Sequence, residues 1–327
     1  MFDADVSLYP LKMSPVFKQY IWGGEKLKKM YGKNTPVGTV AESWEVSCHP
    51  EGLSTIANGV FAGMTLNDAA ARLGFDMFGT ATNIDDGFPL MLKLLDAKDN
   101  LSVQVHPGDE YAFANENGSK GKTELWYILD CDEGARIVYG FKPGIEKEKF
   151  AAAITDGTSE DILNYIDVLP GDVFFIPSGT VHAIGAGMVV AEIQQSSNST
   201  YRVFDYNRVG ADDKRRELHI KKALDVADVS CAVGREKVVA APHMEGENTR
   251  TRYVSCKYFV FEKINVVHSI EEKTSDTLNI LLFIHGTGTV NGEKFKPGDA
   301  FVIPAGMDCY SINGRCEVLK FFTATQG

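Results

Sequence analysis

Three short polar-studded segments carry the residue types best suited to chemistry. They are Leu101-Ser-Val-Gln-Val-His106, Lys122-Thr-Glu-Leu-Trp-Tyr127 and Pro177-Ser-Gly-Thr-Val-His-Ala-Ile-Gly185. Together they offer Gln104, His106, Glu124 and His182, a nitrogen and oxygen set that suits a divalent metal, with Zn2+ the first choice and one ion per chain expected. Ser102 and Lys122 lie in the same stretches, and a metal beside a fixed cation points to chemistry on an anionic small molecule. In a strand, alternate side chains share a face, so Ser102, Gln104 and His106 look one way while Leu101, Val103 and Val105 look the other. Lys122 and Glu124 pair in the same manner. Any one of these segments alone could be a half-exposed strand with a polar solvent face. Three such segments favour one convergent interior site, because a barrel brings residues of distant strands close together.

The elements that must position these residues read mostly as strands, with β-branched and apolar residues alternating with polar ones between Gly/Pro/Asp turns. Helical patterning appears over 65–74, opened by the N-cap candidate Thr65 and closed by Gly74. It recurs over 145–169 as two amphipathic pieces split at Asp156-Gly157-Thr158, and over 217–227. A repeat is present: the pattern PGD-x-F-x-IP-x-G at Pro170 recurs without a gap 127 residues later at Pro297. Each copy contains a tight turn, a buried strand and a Pro-Gly corner, which fits two jelly-roll barrels. In the second copy Cys309 stands where His182 stands in the first, and the strand at Leu278–Ile284 has no carboxylate. The expected fold is therefore mainly β, with a metal-bearing domain over 1–240 and a degenerate copy without metal over 241–327. The polar stretch 234–252 connects them.

Bulk properties narrow the function. The chain has 327 residues, 44% hydrophobic and 24% charged, with a net charge of −11. That balance provides no basic field for nucleic acid. No apolar run approaches the roughly 18 residues a membrane-spanning helix needs. The N-terminus shows no secretory pattern, and the six cysteines form no CxxC pair, so reduced thiols in the cytoplasm are expected. His49, His219, His243, His268 and His285 fit no ligand pattern. Glu192 sits among apolar residues and needs a partner, for which Arg202 is a candidate, as it is for the substrate. Lys93, in the apolar stretch 88–95, needs a counter-charge that a substrate phosphate would supply; the alternative is an edge lysine that reaches solvent.

At these residues the chain resembles the type I mannose-6-phosphate isomerases (phosphomannose isomerases), in particular their short bacterial branch. The resemblance rests on Phe88-Pro with Lys93, the Leu101–Pro107, Lys122–Trp126 and Ile176–Ile184 stretches, and Glu192 with Ser199-Thr-Tyr-Arg202. Tyr20-Ile-Trp-Gly-Gly24 and Ala41-Glu-Ser-Trp-Glu45 add to it. It runs essentially end to end, without the large helical insert of longer members. It implies a double cupin fold with helical elaboration, zinc ligands at Gln104, His106, Glu124 and His182, and a catalytic arginine at Arg202. Lys122 matches a lysine proposed for proton transfer, and Lys93 and Ser102 match positions near the substrate phosphate.

Aldose–ketose isomerisation of mannose 6-phosphate to fructose 6-phosphate moves a proton between C2 and C1 through a cis-enediol. The reaction needs an electrophile for the oxygen charge, a base of suitable pKa and a remote grip on the phosphate. Lys122 is a base candidate if zinc and nearby cations lower its pKa, and Glu192 competes for the role. Arg202 stays charged and suits electrostatic stabilisation. The rival readings are another metal-dependent cupin enzyme, such as an iron oxygenase, and a non-catalytic sugar-phosphate-binding cupin.

Overall fold

The computed structural model describes residues 7–80, 82, 86–209, 213–230 and 237–323. The chain divides into two compact, discontinuous units. One comprises Phe17–Ser43 and Lys93–Val238, the other Met1–Val16, Trp44–Leu92 and Val239–Gly327.

In the first unit a five-stranded sheet runs in the order Leu163–Asp167, Arg136–Phe141, His182–Ala183, Val103–Val105, Tyr201–Phe204. A second sheet runs from Val173–Ile176 through Glu124–Cys131 and Met188–Gln195 to the strand segments that carry Lys93 and Glu42. The two sheets share an apolar core in which Leu95, Trp126, Ile128 and Val190 meet Ile137, Tyr139 and Ile184. The other face of the five-stranded sheet is covered by helices: Val103, Val105, Val138, Tyr201 and Val203 pack with Phe150, Ala153 and Ala223. The helices are therefore an outer layer, which leaves the inter-sheet space for the polar residues of alternate register.

The second unit repeats the two-sheet plan. Its larger sheet contains Val260–Val266, Cys316–Phe322, Asn279–Gly286 and Ala300–Ile303, and its smaller sheet contains Ser269–Lys273, Cys309–Asn313, Gly288–Val290 and Glu293–Phe295. Ile264, Phe283, Phe301 and Val318 from the first pack with Val290, Phe295, Tyr310 and Ile312 from the second. The N-terminal strand Leu11–Ser14 joins the larger sheet by pairing Leu11 with Val302 and Lys12 with Phe301. A single boundary near residue 240 does not describe this arrangement. The pairing gives the Ala300–Ile303 strand a neighbour along an otherwise open edge and buries Leu11 and Met13.

Helices occur at Leu66–Leu73, Lys147–Asp156 and Ile220–Val226, within the expected spans. The Thr65 hydroxyl accepts the Asp68 N–H, as an N-cap should. The second piece of the 145–169 pattern differs from expectation. Ser159–Ile162 is one helical turn, and Leu163–Asp167 is a strand paired with Arg136–Phe141. Pairing along the flank of Arg136–Phe141, which makes this segment the sheet's edge strand, overrides the local helical pattern there. Among the described residues no helix is long and apolar enough to cross a membrane.

Candidate active site

Strand register delivers the polar residues to one place. On the five-stranded sheet Gln104 pairs with His182 on one side and with Arg202 on the other. Their neighbours Val103, Val105, Val181, Ala183, Tyr201 and Val203 go to the helix-covered face, so Gln104, His182 and Arg202 look into the inter-sheet space. On the opposing sheet Glu124 pairs with Gln194 and Trp126 with Glu192. Trp126 and Ile128 belong to the shared core, and Glu124 has the same parity.

The result is a tight buried cluster. Donor atoms of His106, Glu124 and His182 all lie within 4.8 Å of one another. His106 Nε2 stands 3.5 Å from Glu124 Oε2, and His182 Nε2 stands 3.4 Å from Glu124 Oε1. Both imidazoles are anchored through their other nitrogen: His106 Nδ1 is 2.8 Å from the Ser199 carbonyl and His182 Nδ1 is 2.8 Å from the Thr180 carbonyl. A carbonyl only accepts, so each Nδ1 carries the proton and each Nε2 lone pair is turned toward Glu124. This is the tautomer and orientation that metal ligation requires. Burial pushes the His106 imidazole down to about 3, aided by the charge on Lys122, and burial lowers His182 as well. Burial works against the Glu124 carboxylate, but the Lys122 ammonium beside it outweighs burial and holds the group below the usual carboxylate range. His106 Nε2 and both Glu124 oxygens are buried and complete no directed hydrogen bond. Two neutral imidazoles and an ionised carboxylate with orphaned lone pairs form a donor set that a divalent cation would satisfy. Gln104 stands at its edge, its amide 3.4 Å from His182 Nε2.

Gln104 and Lys122 also line a cavity of about 290 Å³, which continues past Lys93 and Glu192 to Ser102 and Arg202. Its two ends differ in charge. Near the cluster, Lys122 Nζ is 2.8 Å from Glu124 and 3.8 Å from Glu192, and Lys93 Nζ is 3.6 Å from both Glu192 and Glu42. Glu192 also accepts the Trp126 indole N–H at 3.1 Å. At the other end Arg202 donates from Nε to the Ser102 hydroxyl at 3.2 Å and from a terminal nitrogen to the Glu217 carbonyl at 2.9 Å. Arg216 lines the same end.

The structure thus gathers Lys93, Ser102, Gln104, His106, Lys122, Glu124, His182, Glu192 and Arg202 around one cavity and its inner wall. Two expectations change. Burial opposes the Lys122 charge, yet Glu124 and Glu192 hold its ammonium above the ordinary lysine range, so the protein surroundings do not lower it. Lys93 is buried as expected, but Glu42 and Glu192 supply its counter-charge, which removes the need for a substrate phosphate there. Arg202 is not the partner of Glu192 within the described contacts; the two lysines and Trp126 are. His219, set aside in the sequence, accepts the Arg202 backbone N–H at 3.1 Å and so supports that strand. Glu42, Asp205 and Arg216 were not singled out. Glu42 lies within the Ala41–Glu45 stretch, but the sequence gives no sign that its strand is next to that of Lys93.

Fold and cluster together place the chain among cupins with a candidate metal site. Residues 10–132 match the phosphomannose isomerase type I catalytic domain, and residues 249–323 match the mannose-6-phosphate isomerase cupin domain. The chain is 40% identical over 315 residues to mannose-6-phosphate isomerase ManA of Bacillus subtilis (strain 168), covering 95% of this chain and 98% of that one. It is 36% identical over 314 residues to mannose-6-phosphate isomerase of Streptococcus mutans, covering 95% and 97%. The crystal structure of mannose 6-phosphate isomerase from Bacillus subtilis superimposes with a TM-score of 0.89 at 38% identity, covering 95% of this chain and 99% of that chain. The chain belongs to the type I mannose-6-phosphate isomerase family.

Proposed function

We propose that this chain interconverts mannose 6-phosphate and fructose 6-phosphate in the cytoplasm, using one zinc ion and a cis-enediol intermediate. The observation that carries this reading is the lining of one cavity: Gln104 and Lys122, which touch the buried His/Glu/His donor set, border it together with the guanidinium groups of Arg202 and Arg216. A hexose 6-phosphate has the complementary polarity, since its reacting C1 and C2 lie at the opposite end from a dianion. The activity named for the 40% identical relative supports the same substrate.

His106, Glu124 and His182 would hold the ion, with Gln104 as a fourth donor. Zinc bound there would supply Lewis-acid stabilisation for the oxygen charge that develops at O1 and O2. Of the two base candidates, Glu192 has the better properties. It borders the cavity, and burial together with the Glu124 charge raises its pKa against the opposing pull of Lys122 and Lys93, toward the range useful to a base at neutral pH. Glu192 takes the proton from C2 and returns it to C1, while the O2 hydroxyl proton passes to O1, which changes from carbonyl to hydroxyl as O2 becomes the ketone oxygen. Lys122 stays protonated, steadies Glu192 and adds positive charge beside the enediolate. Arg202 cannot deprotonate; as the strand partner of Gln104 it stands between the donor set and Arg216, and from there it adds positive charge for the enediolate as well as for the phosphate. Ser102, bonded to Arg202, faces the phosphate, and Lys93 keeps Glu192 in place.

A non-catalytic sugar-phosphate-binding cupin would need no proton acceptor, and another metal-dependent cupin enzyme, such as an iron oxygenase, would need no guanidinium end. The comparisons favour neither. The test is a coupled assay of fructose 6-phosphate formation from mannose 6-phosphate, before chelation, after it and after zinc return. Activity lost and restored is the expected result. No turnover by folded, zinc-loaded protein would remove the isomerase reading.

A further inference from the structure

We infer that Arg216 is a principal anchor of the substrate phosphate and that Asp205 is the positioning residue that aims it; the inference rests on the phosphorylated-hexose reading above. Arg216 borders the cavity beside Arg202 and Ser102. It is held there by a bidentate pair, with Nε donating to Asp205 Oδ2 at 2.8 Å and a terminal nitrogen donating to Oδ1 at 2.5 Å. Among the described residues its other terminal nitrogen has no partner, and neither does one terminal nitrogen of Arg202. With the Ser102 hydroxyl, these are three donors directed at one end of one cavity. A phosphate monoester accepts several charge-assisted hydrogen bonds, and the guanidinium is the side chain whose geometry suits it best.

The support behind Arg216 is built with unusual backbone. Asp205 is buried and is also clamped by Arg208, which donates to Oδ1 at 2.5 Å and to the Asn100 carbonyl. Arg208 reaches back because Tyr206 and Asn207 adopt φ of 52° and 54°. Two consecutive non-glycine residues in the left-handed region are uncommon, and such conformations persist where the surroundings over-determine them. The Tyr206 ring is fixed between Phe204, 4.9 Å away by ring centroids, and the Arg208 guanidinium, 5.2 Å from its centroid. Arg202, Arg208 and Arg216 against one Asp205 carboxylate leave two net positive charges. A phosphate monoester carries about −1.5 to −2 at neutral pH. A plain structural ion pair would use the same Asp205–Arg216 contact but would not require one arginine to face the cavity.

The experiment compares the intact chain with Arg216→Met and Arg216→Gln, using steady-state kinetics on mannose 6-phosphate and calorimetric titration with inorganic phosphate. Loss of one charged contact to a dianion should raise KM roughly 10- to 100-fold and weaken phosphate binding by a similar factor. The change in kcat should be less than about 3-fold, which separates remote binding from chemistry. Asp205→Asn should move KM the same way by a smaller factor. KM and phosphate affinity within about two-fold of the parent, in either folded Arg216 variant, would overturn the proposal. The phosphate titration does not depend on turnover. A chain that binds phosphate through Arg216 but isomerises nothing would keep the anion site and remove the isomerase reading. An isomerase indifferent to Arg216 would do the opposite.

Discussion

The two copies of the Pro-Gly-Asp repeat keep the same turn and bury different chemistry. In the first, Gly171 has φ of 92°, Asp172 accepts the Leu169 N–H at 2.9 Å, and Gly171 N–H reaches the Ile128 carbonyl at 2.8 Å. In the second, Gly298 has φ of 86°, Asp299 accepts the Lys296 N–H at 3.0 Å, and Gly298 N–H reaches the Phe283 carbonyl at 2.7 Å. The copies part after the corner. The first sends His182 inward, fully buried, whereas the second turns through Asp308 at φ of 58°, leaves Cys309 exposed and puts Tyr310 in the core. The second unit also contains buried charge, but that charge is paired. Arg250 is bonded to Glu245, Glu262 and Glu272, and Lys320 Nζ is 2.6 Å from Glu272. Neither buried polarity nor a lone unsatisfied atom therefore marks a site, since Asn265 Oδ1 in the second unit is one as well; convergence does, as where ligand atoms of His106, Glu124 and His182 lie within 4.8 Å of one another.

The strongest way to break this contrast is to remove a member of the convergent donor set. His182→Ala or Glu124→Gln should lose metal and turnover together, with kcat/KM down by roughly 10⁴-fold, because the charge stabilisation at O1 and O2 goes with the ion. Metal content by elemental analysis and the coupled assay check it. Full activity without bound metal would end the reading of the cluster. In the second unit the same kind of deletion should act on folding instead. Glu272→Ala leaves Arg250 and Lys320 short of a counter-charge in a buried setting and should cost about 3–5 kcal/mol of stability. Chemical denaturation measures this, and turnover per folded molecule and metal content should stay near the parent values.

Arg202→Ala is expected to have a somewhat smaller effect. It removes charge stabilisation without touching a metal ligand, so kcat should fall roughly 10²- to 10³-fold while the metal stays. Retained turnover would take Arg202 out of the chemistry and leave it as part of the phosphate end.

The strand residues of the site were legible because period two fixes faces. Ser102, Gln104 and His106 are presented together wherever that strand lies, and so are Lys122 and Glu124. The partnerships were not legible where they depend on which strands become neighbours. Lys93 read correctly as a buried cation, yet its partner Glu42 comes from a strand that only the sheet order places beside it. Asp205 and Arg216 sit in a charged stretch that looks like a solvated loop. It is the left-handed turn at Tyr206 and Asn207 that gathers it into a clamp. The same limit explains the domain boundary, since no local pattern in Leu11–Ser14 reports that it pairs with Ala300–Ile303. It also explains Leu163–Asp167, whose strand state comes from its partner at Arg136–Phe141.

The smallest effect is expected at the position where the copies differ most plainly. Cys309→His restores the first copy's residue at the matching place in the repeat. If sequence position alone made the site, the change would move the second unit toward metal binding. The structure gives the opposite expectation. Cys309 is exposed, its strand neighbour Tyr310 occupies the core and bonds Asn279 at 3.1 Å, and the Glu272 carboxylate on the paired strand already has two cations. A histidine there would face solvent without a second ligand. Stability should change by less than about 0.5 kcal/mol, as for a surface substitution. Metal content should stay at the parent value under zinc loading and dialysis. A second equivalent of tightly held zinc in this variant would show that the degenerate copy lacks only its histidine, and the distinction drawn from convergent donor atoms would fail.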